Sequence, residues 1–354
     1  MYLRRGHDGG MSGNPLLERL GVPLPVLAAP MAGGPTTPAL VLAAARAGSL
    51  GFLGAGYQQP EVFADQVAEV AAATDRYGVN LFAPHPVAVD PRAYAAYRDA
   101  LRPLAEHVGV DLPDEPVEDD DHWRAKVDVV VAAAPPVVSF TFGLPDRASV
   151  GALHRAGCLL AQTVTTAEEA RAAAEAGLDV LVVQAASAGG HSGTFTPERP
   201  IADRPLPDLV AEIGAATALP LVAAGGVVRR EQVAAALAAG AAAVAVGTAL
   251  LLAPEAGTSA ANRSALTRSP QADTRLTRAF TGRPGRGVPN EFMAQYDATA
   301  PLGYPALHHL TAPIRRASAA RGDSEQVNVW AGSGYREITE RPAAEILRDL
   351  WAGA

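Results

Sequence analysis

Two runs decide the fold: Pro220-Leu221-Val222-Ala223-Ala224-Gly225-Gly226-Val227 and, one helical stretch later, Ala243-Val244-Ala245-Val246-Gly247-Thr248. Each is a short apolar run that breaks at glycine. An apolar run without polar alternation is buried on both faces, as in a parallel strand covered by helices. The alanine-rich stretch between them, starting near Arg229, has the length of one crossover helix. Glycines at the strand ends expose backbone N–H groups, and Thr248 adds a hydroxyl. Barrels build phosphate sites from such turns after their last two strands. Gly225, Gly226, Gly247 and Thr248 are therefore candidate phosphate-binding residues.

Outward from these runs the same unit recurs. Apolar runs at 26–31, 51–56, 77–82, 137–142, 158–164, 180–184, 220–224 and 243–247 alternate with helical stretches. Eight such units predict an α/β fold, a (β/α)8 TIM barrel. We place the barrel at residues 14–253. Residues 254–354, richer in Arg, Gly, Pro and aromatics, form a helical C-terminal extension near the barrel mouth. Its helices are expected near 311–321 and 342–351, the last packing back on the barrel. An insertion after strand three, residues 90–134, is read as helices around a solvated acidic loop, Glu118-Asp119-Asp120-Asp121. Thr165-Thr166-Ala167-Glu168 has capping-box spacing, and Gly177 stops that helix.

The chain has 354 residues, 49% of them hydrophobic, enough for a sizeable core. Its net charge of −8 argues against nucleic acid and anionic membranes as partners. No apolar run approaches the ~20 residues of a membrane span. The first residues, 1–13, read as a loose tail without a signal peptide, with Met11 an alternative start. Cys158 is the one cysteine, which excludes an intramolecular disulfide and suits a cytoplasmic location. It reads as a small core residue rather than a catalytic thiol. Oligomeric state is left open, a homodimer included.

Barrel chemistry gathers at the C-terminal strand ends. Strand one ends Pro30-Met31-Ala32-Gly33-Gly34, where small residues allow close approach of backbone to a flat ligand. Asn80 is a buried amide in an apolar strand and needs partners, either neighbouring backbone or a heteroaromatic ring. Gln184 ends strand six and precedes Gly189-Gly190-His191-Ser192-Gly193. Glycines beside His191 let an imidazole stand over a ligand, and an imidazole exchanges protons near neutral pH. His191 is the candidate catalytic residue. No metal is expected.

The ordered set Ala29-Pro30-Met31, Gly78 to Phe82, Gln184 with Ala188 to Gly193, Pro220 to Gly226, Gly247-Thr248, Thr281 to Gly287 and Trp330-Ala331-Gly332 resembles the nitronate monooxygenase family. The resemblance runs from about Pro23 to nearly the end of the chain. It implies FMN as cofactor, held by Pro30, Met31, Ala32, Asn80, Gln184, Gly189, Gly190, Gly225, Gly226, Gly247 and Thr248, with His191 as base. It implies oxidation of alkyl nitronates or nitroalkanes, such as propionate 3-nitronate, by O2 to a carbonyl compound with nitrite or nitrate. Three positions depart from the pattern: Ser187 where a glutamate is common, Ser333 where glutamine is, and Ala245 where a polar residue is. Tyr296, Tyr304 and Tyr335 read as packing more than as pocket lining.

Two rival activities fit the same scaffold. One is an FMN-dependent NAD(P)H reductase of the enoyl-acyl-carrier-protein or quinone type, against which the 281–287 motif speaks. The other is a non-redox phosphate-binding barrel. Lysines are scarce and Lys126 lies in the insertion, so a Schiff-base mechanism is disfavoured.

Overall fold

The computed structural model describes residues 13–268 and 272–352. The expected tail and the alternative start at Met11 lie outside them. In chain order the strands are β1 (Val26–Ala28), β2 (Gly51–Gly54), β3 (Tyr77–Ala83), β4 (Val137–Phe142), β5 (Leu159–Val164), β6 (Val180–Gln184), β7 (Gly190–His191), β8 (Leu221–Ala224), β9 (Ala243–Val246), β10 (Arg275–Thr277) and β11 (Gly285–Gly287). β1 to β6, β8 and β9 close a parallel barrel, sealed where Val26, Leu27 and Ala28 pair with Val244, Ala245 and Val246. The eight expected runs are the eight barrel strands. Their ends differ, most at strand one, which stops at Ala28 while its apolar run continues to Met31. Residues 29–32 leave the ladder to line the mouth, so they stay apolar without being strand.

Two packing layers hold the barrel. Leu27, Val137, Leu159, Ala161, Val180, Val222 and Ala243 fill its interior with Leu16, Leu17 and Leu20 of the helix Pro15–Leu20. That helix stoppers the N-terminal end, tied by Asn14 Nδ2 donating to the Ala242 carbonyl at 2.8 Å. Outside, alternate strand residues such as Val164, Val183 and Val244 pack on the crossover helices. Several helices start on side-chain caps: Thr37, Asp90, Asp146, Ser259 and Asn290 each accept from a first-turn N–H. The expected capping box lies one residue further on. Thr166 is the cap and accepts from Glu169 N, while the Glu169 carboxylate reaches back to Thr165 N.

The insertion and the extension share one apolar core. Tyr94, Tyr97 and Leu101 of the helix Pro91–Val108 pack with Phe280, Phe292, Leu307 and Leu310. The insertion is two helices, Pro91–Val108 and Trp123–Ala133, as expected. Its acidic loop is not all solvated, however. Asp121 lies 2.8 Å from the ammonium of Lys126, which is 1% exposed. A buried ammonium needs a counter-charge, and the nearest one is supplied by this loop.

The extension is also not all helix. β10 and β11 pair antiparallel with each other, and β11 pairs with β7. The helix expected at 311–321 starts earlier and runs Ala306–Ala320. The last helix, Ala343–Trp351, sets Ile346, Leu347 and Leu350 into the outer barrel core.

Candidate functional site

A cavity of about 570 Å³ opens at the C-terminal ends of the strands. All the candidate residues named above line it: Pro30, Met31, Ala32, Asn80, Gln184, Gly189, Gly190, His191, Gly225, Gly226, Gly247 and Thr248. The site is thus one place, assembled from five barrel strands and their following loops, far apart in sequence.

One end is built of backbone. The N–H groups of Gly225, Gly226, Gly247 and Thr248 find no acceptor among the described residues. Free backbone donors gathered on one cavity wall can receive an anion. Gly225 and Gly226 have φ of +130° and +68°, conformations that only glycine adopts without strain. A Cβ on Gly226 would stand 2.8 Å from Ser333 Oγ and 3.0 Å from Ser187 Cβ. Two of the three departures noted above, Ser187 and Ser333, therefore flank this cradle. The Thr248 hydroxyl accepts from Gly332 N at 2.9 Å, which pins the Trp330-Ala331-Gly332 segment against the cradle. Gly189 lies so close to that segment that a Cβ would come within 2.6 Å of its backbone.

The floor is the barrel mouth. Asn80, 2% exposed, donates through Nδ2 to Ser139 Oγ at 2.9 Å and Thr141 Oγ1 at 3.1 Å. Its carbonyl oxygen has no partner among the described residues. Gln184 is spent differently: Nε2 donates to the His191 carbonyl at 3.1 Å and Oε1 accepts from Gly193 N at 2.7 Å. It shapes the loop that carries His191. Met31 N donates to Thr36 Oγ1, and the Met31 side chain packs over Gly247.

His191 stands in an aromatic cage of Phe142, Tyr304 and Trp330, with ring centroids 5.3 to 5.9 Å away. Its backbone is held by the pairing of β7 with β11, and its Nε2 lies 2.8 Å from Thr281 Oγ1. Burial, followed by the Arg283 and Arg315 charges, pushes the imidazole pKa down to about 3. His191 is therefore neutral at physiological pH. Phe142, the last residue of β4, has φ +82°, a strained conformation for a residue with a side chain. Arg283 lies over its ring, 4.1 Å from the centroid.

Several residues of the site escape a reading of strand ends. Tyr57, after β2, stacks on His308 with centroids 4.1 Å apart, and its N–H is held by Asp121 at 3.0 Å. Arg315 is fixed by Thr311, Asn328 and the His308 carbonyl at 2.9 to 3.0 Å. Burial lowers its pKa to about 10, so it stays charged. Arg316 lies beside it on the same wall, exposed. His308, Arg315 and Arg316 sit on the helix Ala306–Ala320, where charge spacing alone gives no sign of a pocket. Tyr296, Tyr304 and Tyr335 pack, as expected: Tyr335 donates to the Ala272 carbonyl, and Tyr304 borders His191 from behind. Cys158 is buried in the core and its thiol is pushed up to about 11. No helix among the described residues is long and apolar enough to cross a membrane.

Comparison with known proteins agrees with this architecture. The family model for nitronate monooxygenase matches residues 14–353. A probable nitronate monooxygenase of Bacillus subtilis (strain 168) is 33% identical over 337 residues, 94% of this chain and 96% of that protein. One from Staphylococcus aureus (strain Newman) is 33% identical over 342 residues, 95% and 96% of the two chains. Among solved structures, the nitroalkane oxidase of Streptomyces ansochromogenes is 41% identical with a TM-score of 0.88, covering 95% of this chain and 96% of that one. FabK of Thermotoga maritima, 24% identical with a TM-score of 0.73, shares the fold. A match across nearly the whole length, with the motifs gathered around one cavity, places this chain in the nitronate monooxygenase family of oxidoreductases.

Proposed function

We propose that the chain binds FMN in this cavity and oxidises alkyl nitronates, such as propionate 3-nitronate, with O2 to a carbonyl compound and nitrite or nitrate. The carrying observation is the charge of the wall. In a chain of net charge −8, the described residues lining the cavity include Arg315 and Arg316 but no Asp or Glu. Arg315 is held only by neutral acceptors, so its charge is left for a ligand. Such a wall favours an anion over its neutral form.

The cradle fits the phosphate of FMN: four free N–H donors, and no room for a side chain at Gly226. Asn80 offers its unpartnered oxygen to the ring edge. The flavin, when bound, takes electrons from the substrate and passes them to O2. The protein orients the substrate between His191 and the arginine wall, and the Phe142, Tyr304 and Trp330 cage limits water around the imidazole.

The test is an anaerobic absorbance titration of the purified holoprotein. Propionate 3-nitronate should bleach the flavin and NADPH should not. Bleaching by NADPH alone would make the protein a reductase on the same scaffold. A protein that purifies without bound flavin would remove the cofactor assignment.

A further inference from the structure

Thr281, in the C-terminal extension, is the side chain hydrogen-bonded to the His191 imidazole. Its Oγ1 lies 2.8 Å from His191 Nε2 and 3.3 Å from the carbonyl oxygen of Arg283. Thr281 is 2% exposed, and its hydroxyl has one proton, for which two acceptors compete. Arg283 is fully buried, and its carbonyl receives no other hydrogen bond among the described residues. A buried carbonyl without a donor is costly. The imidazole has a choice that the carbonyl lacks, because its tautomer decides which nitrogen carries the proton. Nε2–H donating to Oγ1, with the Thr281 hydroxyl donating on to the Arg283 carbonyl, satisfies every group. The reverse order leaves the carbonyl unpaired. Nε2–H puts the lone pair on Nδ1, which bonds to no described residue and belongs to a ring that lines the cavity.

We propose that Thr281 is a positioning residue that locks His191 in the Nε2–H tautomer, leaving Nδ1 to accept the α-proton of a neutral nitroalkane. This rests on the proposed function above, with His191 as the base, and adds the residue that fixes which imidazole nitrogen takes the proton. In the step, the α-carbon–hydrogen bond breaks and the proton passes to Nδ1. The electron pair moves into the nitro group, so the nitronate forms inside the cavity without any oxidant. The imidazolium and the nitronate then neutralise each other, which offsets the burial that keeps the free imidazole uncharged. Oxidation of the nitronate follows as proposed above.

Thr281→Val removes both hydrogen bonds at nearly constant volume, and Thr281→Ser keeps them. Each is compared with wild type on neutral nitroethane and on pre-formed ethyl nitronate, with bound flavin per protein as the check on folding. Thr281→Val should lower kcat on nitroethane by about 10²-fold with KM little changed, since proton transfer contributes on that order. Its rate on ethyl nitronate, which needs no proton removed, should fall far less, and Thr281→Ser should restore nitroethane turnover. Independently of activity, ¹⁵N NMR of histidine-labelled protein, assigned with His191→Asn, should show Nε2 protonated and Nδ1 bare. Equal losses on both substrates, or a protonated Nδ1, overturn the proposal. A wild type that oxidises neither substrate overturns the nitronate reading instead, and the ¹⁵N spectrum still decides the tautomer.

Discussion

Single residues carry the proposed cofactor cradle. Gly226 has a left-handed backbone, and its missing side chain leaves the space between Ser187 and Ser333 open. Gly226→Glu adds backbone strain, bulk and a negative charge at the proposed phosphate position. The purified variant should have little or no bound FMN, read as the flavin-to-protein absorbance ratio, and full retention would place the phosphate elsewhere. The glycines and His191 were legible because few other roles need that residue type at a strand end. Gln184 and Asn80 were legible as polar residues out of place, but their partners were not. An amide finds whatever neighbour the fold supplies, and for Gln184 that is the His191 loop rather than open cavity.

Among elements, the acidic loop and the helix Ala306–Ala320 differ most from their sequence pattern. A charge run usually stays in water. Here Asp121 turns inward to Lys126 and holds the Tyr57 N–H, so the insertion props the loop after β2 that forms one wall of the site. Lys126→Met would leave the largely buried Asp121 carboxylate without its counter-charge. Breaking such a pair costs about 3–5 kcal/mol, whereas replacing both partners is far cheaper. Urea denaturation should show that loss for Lys126→Met and recovery of most of it in the Asp121→Asn, Lys126→Met double variant. An unchanged single variant would mean the pair is not buried in solution. In the helix, Pro305 precedes and Pro313 interrupts the run that carries His308 and Arg315. Local pattern alone therefore gives its start too late and hides the cationic wall.

At the scale of the whole molecule, the buried imidazoles tie stability to pH. His191 is held at about 3 when folded and titrates near 6.5 when unfolded. Between those values the unfolded chain binds a proton that the folded chain refuses. Stability from this group is therefore complete above pH 6.5 and is lost as pH falls towards 3. His308, pushed the same way mainly by burial, adds to the loss. Urea midpoints at pH 7 and pH 5 should fall further for wild type than for His191→Asn, which has no proton to take up. Equal falls would show that His191 is charged, or accessible to water, in the folded protein.

The sequence by itself determined the eight strands, the helices between them and the glycine turns at their ends. These follow from local causes: which runs are apolar on both faces, which residues cap a helix, where only glycine fits. It also marked the residues around the cavity, because barrel closure brings every strand end to one mouth. The tertiary structure alone decided what crosses between distant segments. The three-residue strands at 275–277 and 285–287 are too short to show a period; they pair with each other, and 285–287 pairs in turn with β7. The hydrogen bond from His191 to Thr281, the stack of Tyr57 on His308 and the pairing of Asp121 with Lys126 depend on packing between elements. No local pattern encodes such contacts, since each residue is ordinary in its own segment and gains its role from the neighbour that folding brings to it.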